Sequence, residues 1–373
     1  MSIAIPQIIS WFMILYAKNA YHLMFSRFLA GFAGGGLYIA IPLFISEIAS
    51  DRVRGRLGSA FVFSSTLGVL MAYIIGTYLD YDIIPWLYLP FPIIFLIGSV
   101  FMPESPMFLT QKLQFNDAET SYRFYRGLKR QQELGEDEIM ELETMKKLLS
   151  TEKTDNKLSK EDFLTRSAIK SFVICVGLMF LEQFCGCFSL LFYASTIFEG
   201  SESSFTANES SIVIGIIQII GAYVSTLLVD KSGRKFLISF SAFGISLGMF
   251  IFAMHGFLTP HMDLTFFKWI PLISFGFVIF IGNIGVLTLP FLVMSEVVPP
   301  KIKSYVYTFC LTMSWFFILI VFKLIDIAVD LIGMHGLMAI FSVNSLIGGI
   351  FVLIILPETK GKSIEAIMQL MEK

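Results

Sequence analysis

The sequence predicts an all-α membrane protein: a bundle of about ten bilayer-crossing helices interrupted by one polar helical insert. Three observations carry this. Of 373 residues, 55% are hydrophobic and only 15% charged, where soluble domains carry roughly a quarter charged residues. The apolar residues form runs near the ~20 residues that a helix needs to cross a ~30 Å hydrocarbon core, in which only helices or closed barrels satisfy the backbone. The charges gather in alternate connections between those runs.

Taken in order, the runs are 3–16, 22–48, 57–79, 83–102, 168–198, 209–229, 236–257, 267–295, 303–330 and 336–356. The first is short. Between the fourth and fifth lies a polar segment, 103–167, in which DAETSYRFYRGL and EDEIMELETMKKLL repeat Leu, Met and Tyr at three- and four-residue intervals. That spacing predicts short helices outside the bilayer. The expected organisation is a helical bundle over 1–102, a cytoplasmic helical linker over 103–167, a second bundle over 168–356 and a tail over 357–373.

The loops orient the chain. DRVRGR (51–56), the 103–167 segment, DKSGRK (230–235), PPKIKS (299–304) and the tail hold 22 of the 27 Lys and Arg residues. The intervening loops are nearly free of cations. Because cations stay on the cytoplasmic side, both termini are expected inside, in a multi-pass protein of the plasma membrane. The sequon Asn208-Glu209-Ser210 then falls outside, which makes Asn208 a glycosylation candidate.

Composition also excludes. A net charge of −2 offers no nucleic-acid footprint. Cys175, Cys185, Cys187 and Cys310 all lie in apolar runs without metal-site spacing, so they read as packed or lipid-facing thiols. The four His residues (22, 255, 261, 335) lack ligand spacing, and no nucleophile–base pair is visible. No enzyme activity, catalytic residue, metal or cofactor is expected.

Two motifs occur twice. Glu47 in SEIASDRVRG and Glu296 in SEVVPPKIKS each end an apolar run and precede a cation by seven residues, Arg54 and Lys303. MPESPMFL (102–109) and LPETKGKSI (356–364) follow the fourth and tenth runs. The two echoes have offsets of 249 and 254 residues, which argues for a duplicated bundle, an arrangement found in transporters built from parallel repeats. At that offset DKSGRK would have a twin before residue 1. Six helices in the second half against four in the first imply an ancestral unit of twelve.

These residues resemble the sugar-porter family of the major facilitator superfamily. SRFLAGFAGGGLYIAIPLFISEIASDRVRGRLGS is similar to that family's fourth helix and following loop. PESPMFL resembles PESPR[WF]L, VDKSGRK the D-R-x-G-R-R loop, EQFCGCFSLLFYASTIF the seventh-helix QQ-x-[ST]-G-x-N motif, and PETKGKSIEAI the family's tail. The similarity spans the chain and is nearest the trehalose-transporter branch. It implies passage of a small neutral sugar, trehalose or a hexose, by alternating access that is facilitative, with the sugar and the lipid bilayer as partners.

The resemblance also implies roles. Gln183, Glu182, Gln218, Asn283, Phe291, Ser314 and Trp315 would line the sugar site, where a neutral polyol needs amides and aromatic faces. Glu182 replaces the first Gln of the family pair. An ionised acid near the bilayer centre costs about 2.5–3.5 kcal/mol, so Glu182 is expected neutral, paired or facing a wet cavity. Glu47, Arg54, Arg234, Glu296 and Lys303 would form cytoplasmic gating ion pairs, with Glu104 and Glu358 docking the cytoplasmic helices. Three departures from the family pattern weigh toward a sugar sensor or a decayed transporter: Val62 and Phe188 stand at polar positions, and Val286-Leu287-Thr288-Leu289-Pro290-Phe291 keeps one proline of two.

Overall fold

The computed structural model describes residues 2–49, 51–128, 135, 138–140, 142, 160–192, 207–263, 265–360, 362 and 364–372. Regular structure among these residues is helical. They form two compact units, Met1–Phe61 with Tyr78–Lys157, and Val62–Thr77 with Leu158–Lys373.

In the first unit, α1 (Ala4–Leu15) packs along α2 (Ala20–Ile48). The buried hydroxyls of Ser10 and Ser26 join them at 3.0 Å. Such a polar contact between membrane helices is worth about 0.6 kcal/mol on average. The long helix α3 (Asp51–Tyr78) follows. Its residues 62–77 group with the second unit, where Leu70 and Tyr73 lie against Gly215. The predicted run 83–102 divides into α4 (Ile84–Tyr88) and α5 (Pro90–Phe101), with Pro90 opening the second piece. A stacked Trp11–Tyr88 pair holds α4 against α1. Two short helices of the linker, α6 (Pro106–Gln111) and α7 (Phe115–Arg126), complete the unit. Most of EDEIMELETMKKLL lies outside the described residues.

The second unit contains α8 (Lys160–Leu164), α9 (Arg166–Phe184), α10 (Cys187–Phe192), α11 (Ala207–Ser232), α12 (Arg234–Leu258), α13 (Ile270–Ile284), α14 (Pro290–Val297), α15 (Lys303–Ile355) and α16 (Ile364–Glu372). The runs 303–330 and 336–356 form the one helical stretch α15, bent at Gly333, whose φ of 72° is open to glycine. Seven helices among the described residues are long and apolar enough to cross a membrane, and Ala4–Leu15 and Ile270–Ile284 are shorter apolar ones. Since α15 contains two predicted runs, these helices account for the ten.

The outer surface, unlike that of a soluble protein, is as apolar as the interior. Helix α12 buries Leu237, Ser241, Ile245 and Met249 but exposes Phe236, Phe240, Leu247 and Phe250. An outward stripe of this kind suits hydrocarbon, not water. The four cysteines are buried among the inward residues.

Two further predicted runs are broken helices. The run 168–198 divides at Gly186, which has φ 83° and no room for a Cβ beside Phe341. Residues 193–198 lie outside the described residues. The run 267–295 divides between Ile284 and Pro290. Pro290 lacks an N–H and its ring opposes the carbonyl four residues back, which favours a break at this point. Backbone groups freed inside a membrane must find other partners. Ser241 of α12 supplies both kinds, donating to the Ile281 carbonyl at 2.7 Å and accepting from the Val286 N–H at 3.1 Å. Ser225 of α11 donates to the Ile284 carbonyl at 2.7 Å, and Thr288 to the Asn283 carbonyl at 2.6 Å.

Candidate functional site

The amide of Gln183 lies in the last turn of α9, just before the Gly186 break. Its Nε2 donates to Ser314 Oγ on α15 at 2.8 Å, and both residues are buried. Its Oε1 is buried without a hydrogen-bond partner, an arrangement that costs free energy unless something completes it. The two predicted residues thus meet, with one acceptor left over.

Gln218 and Asn283 occupy facing helices. Gly221 of α11 is packed so closely on α13 that a Cβ there would sit 2.8 Å from Asn283 Cβ. Gln218 is one turn earlier on the same face, and both amides are buried. The Asn283 amide donates within its own helix, to the Ile279 carbonyl at 2.8 Å. Phe291 is half-buried at the start of α14, packed against the core of the unit. Trp315 is 54% exposed, because it is turned by one residue from the inward Ser314.

Glu182 is 4% exposed and its Oε2 has no hydrogen-bond partner. It is therefore enclosed within the second unit. The Tyr307 phenol of α15 is within electrostatic reach, and the Cys185 thiol donates to the Glu182 main-chain carbonyl at 3.1 Å.

The repeated motifs join in a way the sequence does not announce. Glu47 at the end of α2 accepts a hydrogen bond from the hydroxyl of Ser105, the third residue of Pro-Glu-Ser. Glu296 at the end of α14 accepts one at 2.5 Å from Thr359, the third residue of Pro-Glu-Thr. Each unit thus closes the same acid–hydroxyl joint. Ser105 also caps α6 by accepting from the Phe108 N–H at 3.2 Å. The signal was the shared hydroxyl at the third position of the two motifs.

Arg234 pairs with Glu296 at 3.2 Å, and its side chain also donates to the Val229 carbonyl. Lys303 stands at the start of α15, and the side chain of Arg54 lies outside the described residues. Glu358 accepts from the backbone N–H groups of Arg234 at 3.0 Å and Lys235 at 3.2 Å. A carboxylate at a helix N-terminus satisfies orphan donors and complements the helix dipole. Gly233, with φ 87°, leaves the room, since a Cβ would lie 2.6 Å from Glu358 Oε2. Lys360 Nζ donates to the Lys231 carbonyl at 2.6 Å, capping the other side of the same turn.

In the first unit the backbone around Glu104 docks α7: Ser121 Oγ donates to the Glu104 carbonyl at 2.5 Å, and Tyr125 to the Pro103 carbonyl at 2.6 Å. Burial, with the Glu104 carboxylate adding to it, pushes the Tyr125 phenol up from its ordinary value. Asn208 stands in the first turn of α11, with its side chain outside the described residues.

Comparison with known proteins fits this architecture. The model of the family described as "Sugar (and other) transporter" matches residues 1–371. The facilitated trehalose transporter Tret1 of Bombyx mori is 30% identical over 370 residues, covering 98% of this chain and 72% of the relative. Tret1 of Drosophila virilis is 30% identical over 367 residues, with 40% of its length covered. Sugar transporter ERD6-like 6 of Arabidopsis thaliana is 30% identical over 380 residues, with 75% of its length covered. Among solved structures, the proton:xylose symporter XylE, bound to 6-bromo-6-deoxy-D-glucose, superposes with a TM-score of 0.77 at 20% identity, covering 99% of this chain and 82% of that one. A double Trp mutant of XylE gives 0.80 at 22% identity. The fold is that of the major facilitator superfamily sugar porters, and this integral, multi-pass membrane chain belongs to the sugar transporter family.

Proposed function

We propose that the chain moves a neutral sugar of the trehalose or hexose class across the plasma membrane by facilitated alternating access, with both termini in the cytoplasm. The observation that carries the reading is Gln183. Its NH2 group is committed to Ser314, while its carbonyl oxygen waits, buried, for a donor. A sugar hydroxyl is such a donor, and unlike an ammonium group it brings no charge into the membrane. Gln218 and Asn283 extend the polar lining on α11 and α13, and Phe291 and Trp315 offer aromatic faces. The charged groups beside the acid–hydroxyl joints, Arg234 and Glu296 among them, serve as the cytoplasmic gating pairs. Partly exposed pairs are worth only about 0–1 kcal/mol each, which suits contacts that break in every cycle.

Reconstituted protein should take up radiolabelled trehalose or glucose saturably. Gln183→Ala should raise the half-saturating concentration about five- to tenfold, the value of about one hydrogen bond. Equal kinetics for the variant and the parent would remove Gln183 from the site. A second reading, a sugar sensor that binds without transport, is favoured by apolar Val286 and Leu289 at the α13–α14 break. Saturable sugar binding with no flux above that of empty vesicles would select it.

A further inference from the structure

The first unit carries a cleft that sugar passage does not use. Its volume is about 220 Å³, and it lies between the end of α1 and the turn that leads into α4. Ile14, Leu15 and Pro85 supply apolar wall; Tyr16, Tyr81, Trp86 and Asp82 complete the lining. Ile14 and Pro85 are buried, whereas the three aromatic residues and Asp82 are exposed.

Two properties set this lining apart from scattered interfacial aromatics. Its rings are free: Trp11 stacks on Tyr88 and Tyr88 meets Phe91, but among the described residues Tyr16, Tyr81 and Trp86 make no ring contact. Their electron-rich faces are open to a ligand. The lining is also anionic without a counter-charge. Among the described residues Asp82 has neither an ion pair nor a hydrogen bond, and Asp80 adds a second exposed carboxylate to the same turn. Helix α1 ends here, with Tyr16 as its C-cap and no basic residue in its last turn, and the C-terminus is the negative end of a helix dipole. Lys18 follows two residues later but does not line the cleft.

Charge complementarity therefore calls for a small cation that is content with aromatic walls. A compact primary ammonium is strongly hydrated, and a sugar would ask for amides, of which the lining has none. A trimethylammonium group spreads its charge over methyls that pack on ring faces, as in the aromatic cages that recognise choline. Tyr and Trp also gather at the level of lipid headgroups. Ile5, Ile9 and Phe12 are exposed and share the face of α1 that leads to Tyr16, a greasy track for acyl chains below the cleft.

We infer that this cleft binds the trimethylammonium head of a choline phospholipid, with Tyr16, Tyr81 and Trp86 against the methyl groups and Asp82 balancing the charge. In the orientation proposed above, the lipid belongs to the outer leaflet. The site lies within the first unit and is separate from the sugar-lining residues of the second.

Native mass spectrometry of the full chain in mild detergent tests this, with dioleoylphosphatidylcholine or dioleoylphosphatidylethanolamine added in turn. The parent should retain the choline lipid about tenfold more tightly. Asp82→Asn and Trp86→Leu should each remove most of that preference, while Trp269→Leu, at another exposed tryptophan, should keep it. All three changes fall on exposed side chains, and unchanged thermal midpoints would verify folding. No preference in the parent, or an unchanged preference in either cleft variant, would overturn the site and leave an ordinary aromatic belt. Choline chloride supplies the second arm. If it displaces the lipid and binds the lipid-free parent with the same dependence on Asp82 and Trp86, the trimethylammonium site stands and the lipid is overturned as its source. Sugar uptake is not read in either arm, so failure here leaves the transport reading untouched.

Discussion

Thr359 contributes a single hydroxyl, but it donates that hydroxyl to a carboxylate already shared with Arg234. Hydrogen bonds to charged groups are worth more than neutral ones, about 1.5–3 kcal/mol when buried. Glu296 is partly exposed, so Thr359→Val should lower stability by about 1–2 kcal/mol. Thr359→Ser should recover most of it, as read by thermal unfolding in detergent. Ser105→Ala should act in the same direction in the first unit. These two hydroxyls were the least legible part of the site. A seven-residue spacing from acid to cation is visible along the chain, whereas the hydroxyl partners of the two acids stand 58 and 63 residues away. Only folding brings the two copied motifs of each half together. Gln183 and Ser314 were legible as amide and hydroxyl on apolar runs, yet their contact spans 131 residues.

At the scale of elements, hydropathy located the ten runs because each must be apolar over a bilayer's thickness. It could not show the breaks, since the residues at Ile284–Pro290 are as apolar as a continuous helix would be. Pro290 and Gly285 were the available clues. The breaks depend on polar residues of other helices, and α12 bears much of that load. Ser241→Ala should leave the Ile281 carbonyl and the Val286 N–H without partners, costing about 1–3 kcal/mol. Gly285→Ala should be worse, because the added methyl would meet the Leu237 carbonyl oxygen at 2.4 Å and drive α12 and α13 apart. Size-exclusion profiles after a temperature ramp should rank parent, Ser241→Ala and Gly285→Ala in falling order of folded fraction.

For the whole molecule, the charge alternation of the loops makes a prediction about sidedness. Cysteine introduced at Lys112 should react with a membrane-impermeant maleimide only when the cytoplasmic face is exposed. Cysteine at Asp82 should react from outside the intact cell. The four native cysteines are buried and should contribute little background. Labelling of both positions from one side would refute the orientation read from Lys and Arg. The duplication gives the prediction its reach, since each half places its acid–hydroxyl joint beside the same kind of basic loop.

The segment after Leu356 has a consequence for anyone who handles the gene. Glu358 seats the start of α12, Thr359 anchors the end of α14, and Lys360 closes α11, so a stop codon placed a few bases too early would untie three membrane helices together. Purification tags belong beyond α16, and an alternative transcript that ended at the last greasy helix would encode a different object from a merely shortened one.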